Sequence, residues 1–242
     1  MGNQFQVANF LEELGPLSAS EIISRLNSAF GPNVAFATSL GLEDQVLIHL
    51  LAESAPQMRV FTLDTGRLFN ETYELIEKTE SRYGIRIEIY CPETSEVEAM
   101  VREHGINLFY QSIENRKLCC AVRKLRPLGR ALKNLDAWVC GLRRGQGVTR
   151  QQLDVAEWDA NNQILKFSPL WNWTDQDIQR FIQEHKIPYN PLHDQGFLSI
   201  GCSCCTRAVK PGEDLRAGRW WWEAPEHKEC GLHRKDGKPL RP

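Results

Sequence analysis

The sequence predicts an α/β fold, a mostly parallel sheet flanked by helices. Two patterns carry that expectation. Short β-rich apolar runs alternate with helical patterns over the first two-thirds of the chain, as in a sheet covered by crossover helices. Segments rich in Gly, Ser, Thr and Arg fall between a strand and the helix after it. In order, Val34 to Thr38 reads as a buried strand. Glu43 to Ala52 reads as a helix with Val46, Leu47, Leu50 and Leu51 on one face. Arg59 to Leu63 is a second strand, and Asn70 to Tyr83 a helix marked by Tyr73, Ile76 and Glu77. Arg86 to Tyr90 alternates as a third strand. Glu93 to His104 and Cys119 to Lys133 are helical, and Ala137 to Cys140 is a fourth strand. Thr174 to Asp177 forms a capping box that opens a helix running to about His185, with Pro188 beyond it. After Pro191 the periodicity dissolves into Gly, Cys, Trp, Arg and His. Residues 1–190 are therefore expected to form an α/β body. Residues 191–242 are expected to fold over it as part of the same domain.

The chain has 242 residues, 42% apolar and 25% charged, which excludes a disordered, collagenous or small disulfide-stapled protein. No apolar run approaches the ~18 residues of a membrane span, so no membrane association is expected. The first basic residue is Arg25, leaving no charged leader. Met1-Gly2 is not a myristoylation signal, because Gln6 stands where Ser or Thr is needed. A cytoplasmic location is the expectation. The net charge of −2 conceals −10 over residues 1–115 and +8 over residues 116–242. The positive charge is dispersed, the isoelectric point is near 6.3, and no nucleic-acid motif is present. A basic half can meet an anionic partner, but on charge alone a solvated basic surface is the favoured reading, and nucleic acid is poorly supported.

Ligands of open α/β sheets sit outside the carboxyl ends of strands, and three loops qualify. Ala37-Thr-Ser-Leu-Gly-Leu-Glu-Asp44 precedes a helix N-terminus, where backbone N–H groups hold phosphate; a plain structural turn is the competing reading. Leu63-Asp-Thr-Gly66 follows the second strand. Gly141 to Arg150 carries three arginines and three glycines, a composition suited to gripping anions. Arg216 and Arg219, three apart, can also reach one anion. The Trp220–Trp222 triplet reads as core packing rather than base stacking.

Eight cysteines in a cytoplasmic chain point to metal or redox chemistry rather than disulfides. Cys91 and Cys140 end strand-like runs and read as small buried hydrophobes. Cys119-Cys120 and Cys202-Ser-Cys-Cys205 form two thiol pairs, which suit zinc or an iron–sulfur cluster. One tetrahedral zinc needs its sulfurs roughly 3.8 Å apart. Adjacent helical residues diverge by about 100°. A 4Fe-4S cluster gives each diverging thiol its own iron and is favoured. Cys204 leaves the ligand choice open, although C-x-x-C spacing favours Cys202 with Cys205. Cys230 has no partner at ligand spacing and neighbours Lys228, His233 and Arg234. Cations lower a thiol pKa, so it reads as a nucleophile; an incidental surface thiol is the bland alternative.

Together, Cys119-Cys120, the 202–205 motif and Lys228-Glu-Cys-Gly-Leu-His233 resemble the assimilatory adenylyl-sulfate (APS) reductases. These are the iron–sulfur branch of the PAPS/APS reductase family. Thr38 to Asp44, Leu63 to Gly66 and Gly141 to Arg144 also resemble that family, so the likeness runs from about residue 34 to 234. It implies an adenine nucleotide α-hydrolase-like fold whose C-terminal tail closes over the active site. It implies one 4Fe-4S cluster on Cys119, Cys120, Cys202 and Cys205, and Cys230 as nucleophile. It places Ser39, Leu63, Thr65 and Gly141 along the nucleotide. It places Lys124, Arg143, Arg144, Arg150, Arg216, Arg219 and His233 on the phosphosulfate side. The implied reaction is APS plus reduced thioredoxin giving sulfite, AMP and oxidised thioredoxin through an S-sulfocysteine. Cys204 departs from the family, which more often has a non-thiol such as Pro there. Gly145 and Gly147 loosen the arginine loop. No thioredoxin-like domain is fused, so the reductant is expected to be external; homo-oligomerisation is left open. Three rivals differ in what they leave unexplained. A PAPS reductase of the same family is set aside by the resemblance alone. An ATP-using PP-loop tRNA-thiolating enzyme needs a Gly-Gly pair that Ser39-Leu-Gly-Leu-Glu-Asp44 lacks. A non-enzymatic metal sensor gives Cys230 and the three anion loops no role.

Overall fold

The computed structural model describes residues 2–146 and 150–224. Two helices, α1 (Gly2–Leu14) and α2 (Ala19–Phe30), precede the first strand. A capping box fixes the start of α2: the Ser18 hydroxyl accepts from the Glu21 N–H while the Glu21 carboxylate accepts from the Ser18 N–H. Then follow β1 (Val34–Thr38), α3 (Leu42–Ser54), β2 (Arg59–Leu63), α4 (Asn70–Tyr83), β3 (Ile87–Tyr90) and α5 (Thr94–His104). A long helical stretch comprises α6 (Ile113–Cys120), a π-helical turn (Ala121–Leu125) and α7 (Arg126–Ala131). Finally come β4 (Ala137–Val139), β5 (Ala156–Asp159), β6 (Ile164–Phe167) and α8 (Asp175–His185). The six strands form one sheet in the order β3-β2-β1-β4-β6-β5, parallel except for β5.

Each face of the sheet buries its own core. Val34, Phe36, Val60, Val139 and Phe167 point toward α1, α2, α3 and α8. Ala35, Phe61 and Trp138 point the other way, onto Leu128, Ala131 and Leu132. The alternation along β1 is the period of a strand covered on both sides. Helix α3 is buried all round from Asp44 to Leu51, wider than the single face its leucines suggested. A third cluster joins Met100, Leu108, Phe109 and Val122 to Cys205 and Trp220, and here the C-terminal segment packs on α5 and the long helix.

The four expected strands are present, together with a hairpin, β5–β6, that the pattern did not reveal. Its turn depends on Asp159, which accepts from the N–H groups of Asn161 and Asn162. Lys166 interrupts the apolar run of β6, yet is buried because Glu157 on β5 binds it at 2.6 Å. The helix expected from Cys119 begins six residues earlier, because Ser112 caps it by accepting from the Asn115 N–H. Helix α4 buries Thr72, Leu75, Ile76 and Thr79, whereas Tyr73 faces out and donates to Asp64 at 2.8 Å. Cys91 is exposed just beyond edge strand β3, correcting its assignment to the core; Cys140 is buried. Of the Trp triplet only Trp220 is fully buried, and Trp221 is 39% exposed. No helix among the described residues is long and apolar enough to cross a membrane.

One interaction fastens the C-terminal segment to α6. Arg116 donates from Nε and Nη2 to both carboxylate oxygens of Glu223, at 2.9 and 2.7 Å, with both side chains almost wholly buried. Removing one partner of such a pair leaves a buried unneutralised charge, which costs about 3–5 kcal/mol. Glu223→Ala is expected to lower unfolding free energy by that amount in urea titration. Glu213→Ala, which breaks the Arg207 pair at the surface, should leave that titration nearly unchanged.

Candidate active site

The strand order reverses direction of growth at β1, with β2 on one side and β4 on the other. The crevice at such a switch point is where doubly wound sheets bind ligands. Its two lips are the β1–α3 loop and the loop after β4. In the first, Ser39 donates to the Asp44 carboxylate from its N–H (2.5 Å) and its hydroxyl (2.7 Å). Leu40 adopts φ +60°, the left-handed region that favours glycine, and its side chain is buried. Gly41 ends the turn and α3 begins at Leu42, so the helix N-terminus opens on the crevice. The two lips touch: a Cβ at Gly141 would collide with Asp44 Oδ1 and crowd Glu43. Burial, opposed by the Ser39 hydrogen bonds, raises the Asp44 pKa from 3.8 to about 6.

Arg143 leaves the second lip and is buried. Its Nε donates to Glu43 at 2.7 Å and its Nη2 to Asp175, while Nη1 has no hydrogen-bond partner among the described residues. Arg143 therefore ties the β4 loop to the starts of α3 and α8. His193 faces Glu43; its buried Nε2 likewise has no partner among the described residues, and burial lowers its pKa. Arg144 turns to the Leu153 carbonyl (2.7 Å) and Asp154 (2.9 Å) and stacks on Trp171. Arg150 donates to the Gln146 side chain.

Beyond the end of β2 lies a second cavity, and it holds thiols. Cys119, Cys120, Cys202, Cys204 and Cys205 line it with Arg67, Arg123, Lys124 and Arg219 among its cations. The π turn begins immediately after Cys120. It interrupts the α-helical ladder where two adjacent thiols must face one space, a placement frequent at functional sites. From the other side, the short 3-10 turn Ser203–Cys205 is closed by Cys205 N–H donating to the Cys202 carbonyl at 2.9 Å. That turn docks on the β2 loop. Ser203 N–H donates to the Arg67 carbonyl at 2.8 Å, and Thr65 Oγ1 lies 3.2 Å from Cys202 Sγ. Arg123 donates to the Thr65 carbonyl at 2.6 Å. Arg219 donates to Ser199 Oγ and the Ile200 carbonyl and lies over Trp220; Gly201 must lack a Cβ for its guanidinium to fit.

Burial pushes the Cys119 thiol up. Cys204 and Cys205 Sγ lie 3.8 Å apart; their mutual hydrogen bond lowers Cys204 to about 7 and raises Cys205. The donors are all thiols, the chemistry of zinc or an iron–sulfur cluster. Among the described residues no three His, Cys, Asp or Glu side chains converge as a single-ion site.

The expected site residues thus fall in two adjoining places. Ser39, Gly141 and Arg143 form the crevice, with Leu63 ending β2 beside it. Lys124, Arg219 and the thiols form the second cavity, and Thr65 joins it through Cys202. Arg144, Arg150 and Arg216 are not among the residues lining the thiol cavity; the Arg216 N–H donates to Asp214. Cys230 and His233 lie outside the described residues. Sequence reasoning missed Asp44, Arg67, Arg116, Arg123 and His193. A visible cue existed for two of them: Arg67 follows Leu63-Asp-Thr-Gly66 directly, and Arg123 is one helical turn beyond Cys119.

A doubly wound sheet with a crevice at its switch point and a thiol cavity alongside is an arrangement suited to a nucleotide and to sulfur or metal chemistry. The phosphoadenosine phosphosulfate reductase domain matches residues 33–208, and the chain belongs to that family. Adenosine 5'-phosphosulfate reductase of Allochromatium vinosum is 53% identical over 210 residues, covering 87% of this chain and 82% of that protein. The Agrobacterium fabrum protein of the same name is 47% identical over 219 residues, covering 90% and 84%. A crystal structure of phosphoadenylyl-sulfate (PAPS) reductase from Candida auris, a phosphate complex, superposes with TM-score 0.73 at 30% identity, covering 85% of this chain and 97% of that one. Yeast FAD synthetase shares the fold alone, at TM-score 0.52 and 17% identity.

Two outcomes test the crevice. Gly141→Ala should force the Asp44 carboxyl off Ser39, lowering stability by about 1–3 kcal/mol and weakening AMP binding in calorimetry. The native state holds the Asp44 proton more tightly than the unfolded chain, so its contribution to stability falls as pH rises from about 4 to about 6. Asp44→Asn should flatten the stability–pH curve in that window, by a span of about 3 kcal/mol.

Proposed function

We propose that this chain is a thioredoxin-dependent adenylyl-sulfate reductase of sulfate assimilation, converting adenosine 5'-phosphosulfate to sulfite and AMP. The observation that carries the reading is the thiol cavity beside the nucleotide crevice, in a chain about half identical to reductases named for that substrate. Cys119, Cys120, Cys202 and Cys205 would hold one 4Fe-4S cluster, and the all-thiol donors suit it. When bound, the cluster would join the two segments that carry its ligands, and Lys124 beside it would supply positive charge toward the substrate.

The rest of the chemistry belongs to side chains. Ser39, Leu63, Thr65 and Gly141 position the adenylate, with the α3 N-terminus toward phosphate. Lys124 and Arg219, with Arg143, Arg144, Arg150, Arg216 and His233, neutralise the phosphosulfate. The Cys230 thiolate attacks the sulfonate sulfur. The S–O bond to phosphate breaks and AMP departs with that electron pair, leaving an S-sulfocysteine. A thioredoxin thiolate then attacks Cys230 Sγ, sulfite leaves, and the second thioredoxin thiol resolves the mixed disulfide. Thioredoxin supplies both electrons. The 191–242 segment belongs to the same domain as residues 1–190 and closes over the nucleotide before opening to the protein reductant. We place the protein in the cytoplasm, where its thiols stay reduced.

The rivals make different predictions. A PAPS reductase would turn over the 3'-phosphorylated nucleotide. An ATP-using enzyme would release pyrophosphate, and here Leu40, not glycine, fills the left-handed position of the β1 loop. With oxygen-free full-length protein and reduced thioredoxin, sulfite is expected from APS and not from PAPS. Mass spectrometry should find the sulfonate adduct on Cys230 when APS is added without thioredoxin. Cys230→Ser should form no adduct and still bind AMP. An adduct on that variant, or unimpaired turnover by it, would contradict the mechanism.

A further inference from the structure

Five thiols line the cavity, one more than a 4Fe-4S cluster uses. Cys204 and Cys205 sit on a single 3-10 turn with their Sγ atoms 3.8 Å apart. That is roughly the separation of two thiolates bound to the same tetrahedral metal. Each iron of a cubane takes three sulfides and one protein thiolate, so two thiols so placed compete for one iron corner rather than serving two. The turn is held from both sides. Tyr110 Oη donates to the Cys204 carbonyl at 2.7 Å, and Trp220 N–H donates to the Cys205 carbonyl at 3.1 Å. Exchange between the sulfurs then needs only side-chain rotation.

We propose that Cys204 and Cys205 are alternative ligands of the same iron, either sufficing to hold the cluster. This rests on the cluster assigned above. A spare thiol at one corner gives that iron a replacement when the first ligand is oxidised or displaced.

The test uses full-length protein purified without oxygen, with iron and sulfide counted per chain and the fold followed by circular dichroism. Wild type should hold about four irons. Cys204→Ser, Cys205→Ser and Cys205→Ala should each keep that content, whereas the double variant Cys204→Ser/Cys205→Ser should lose at least one iron per chain. An iron-depleted but folded Cys205 variant would overturn the exchange, as would a double variant with full iron. Cys204→Ser alters only a half-buried residue and gives a second readout that does not depend on the Cys205 variants folding. In air it should lose its cluster several-fold faster than wild type; equal or slower loss would overturn the proposal. Iron-free wild type would instead overturn the cluster reading beneath it.

Discussion

Burial of sulfur is the constraint to which the rest of the molecule answers. Thiols from two segments some eighty residues apart share one cavity, and burial pushes the Cys119 thiol up. Making them thiolates requires positive charge at the same place. The chain provides some of it from Arg67, Arg123, Lys124 and Arg219, and a metal centre would provide the rest. The surrounding structure can be understood as what brings those sulfurs together. A π turn interrupts the long helix beside Cys120, the β2 loop receives the 202–205 turn, and Arg116 clasps Glu223 in the dry interior.

The sheet supplies the other half of the site by topology. Growth of strand order in opposite directions from β1 opens a crevice, and only loops at strand carboxyl ends reach it. Arg143 joins both lips to α8 through Glu43 and Asp175. Thr65, two residues past the end of β2, touches Cys202. A substrate phosphate held in the crevice would therefore lie near the cationic wall of the thiol cavity. In the proposed reading, the β2 loop is what would link nucleotide binding to sulfur chemistry.

Much of this was legible in the sequence, for identifiable reasons. β1, β2 and β4 were plain because strands buried on both faces are continuous apolar runs, and those runs set the three loops. The paired cysteines stood out because thiols cluster in a reducing compartment only for a purpose. What stayed hidden depends on contacts between distant residues. Lys166 interrupts the apolar run of β6 and is accommodated by Glu157 on β5, a pairing no local pattern shows. Arg116 and Glu223 are 107 positions apart, and nothing local distinguishes either from a solvated charge. No helix-breaking residue lies within Ala121–Leu125, so nothing in that stretch signals the π turn. Cys91 was misread because an apolar run was taken to stay buried to its end, whereas edge strand β3 leaves its last residues at the surface.

The most direct measurement is Mössbauer spectroscopy of the full-length chain, enriched in 57Fe and kept free of oxygen. All iron in sulfur-only tetrahedral environments, coupled as a 4Fe-4S centre, is the expected spectrum. Iron with nitrogen or oxygen ligands in place of sulfur, or a protein whose thiols carry a lone zinc, would contradict the view that this cavity exists to hold buried thiolates on a cluster.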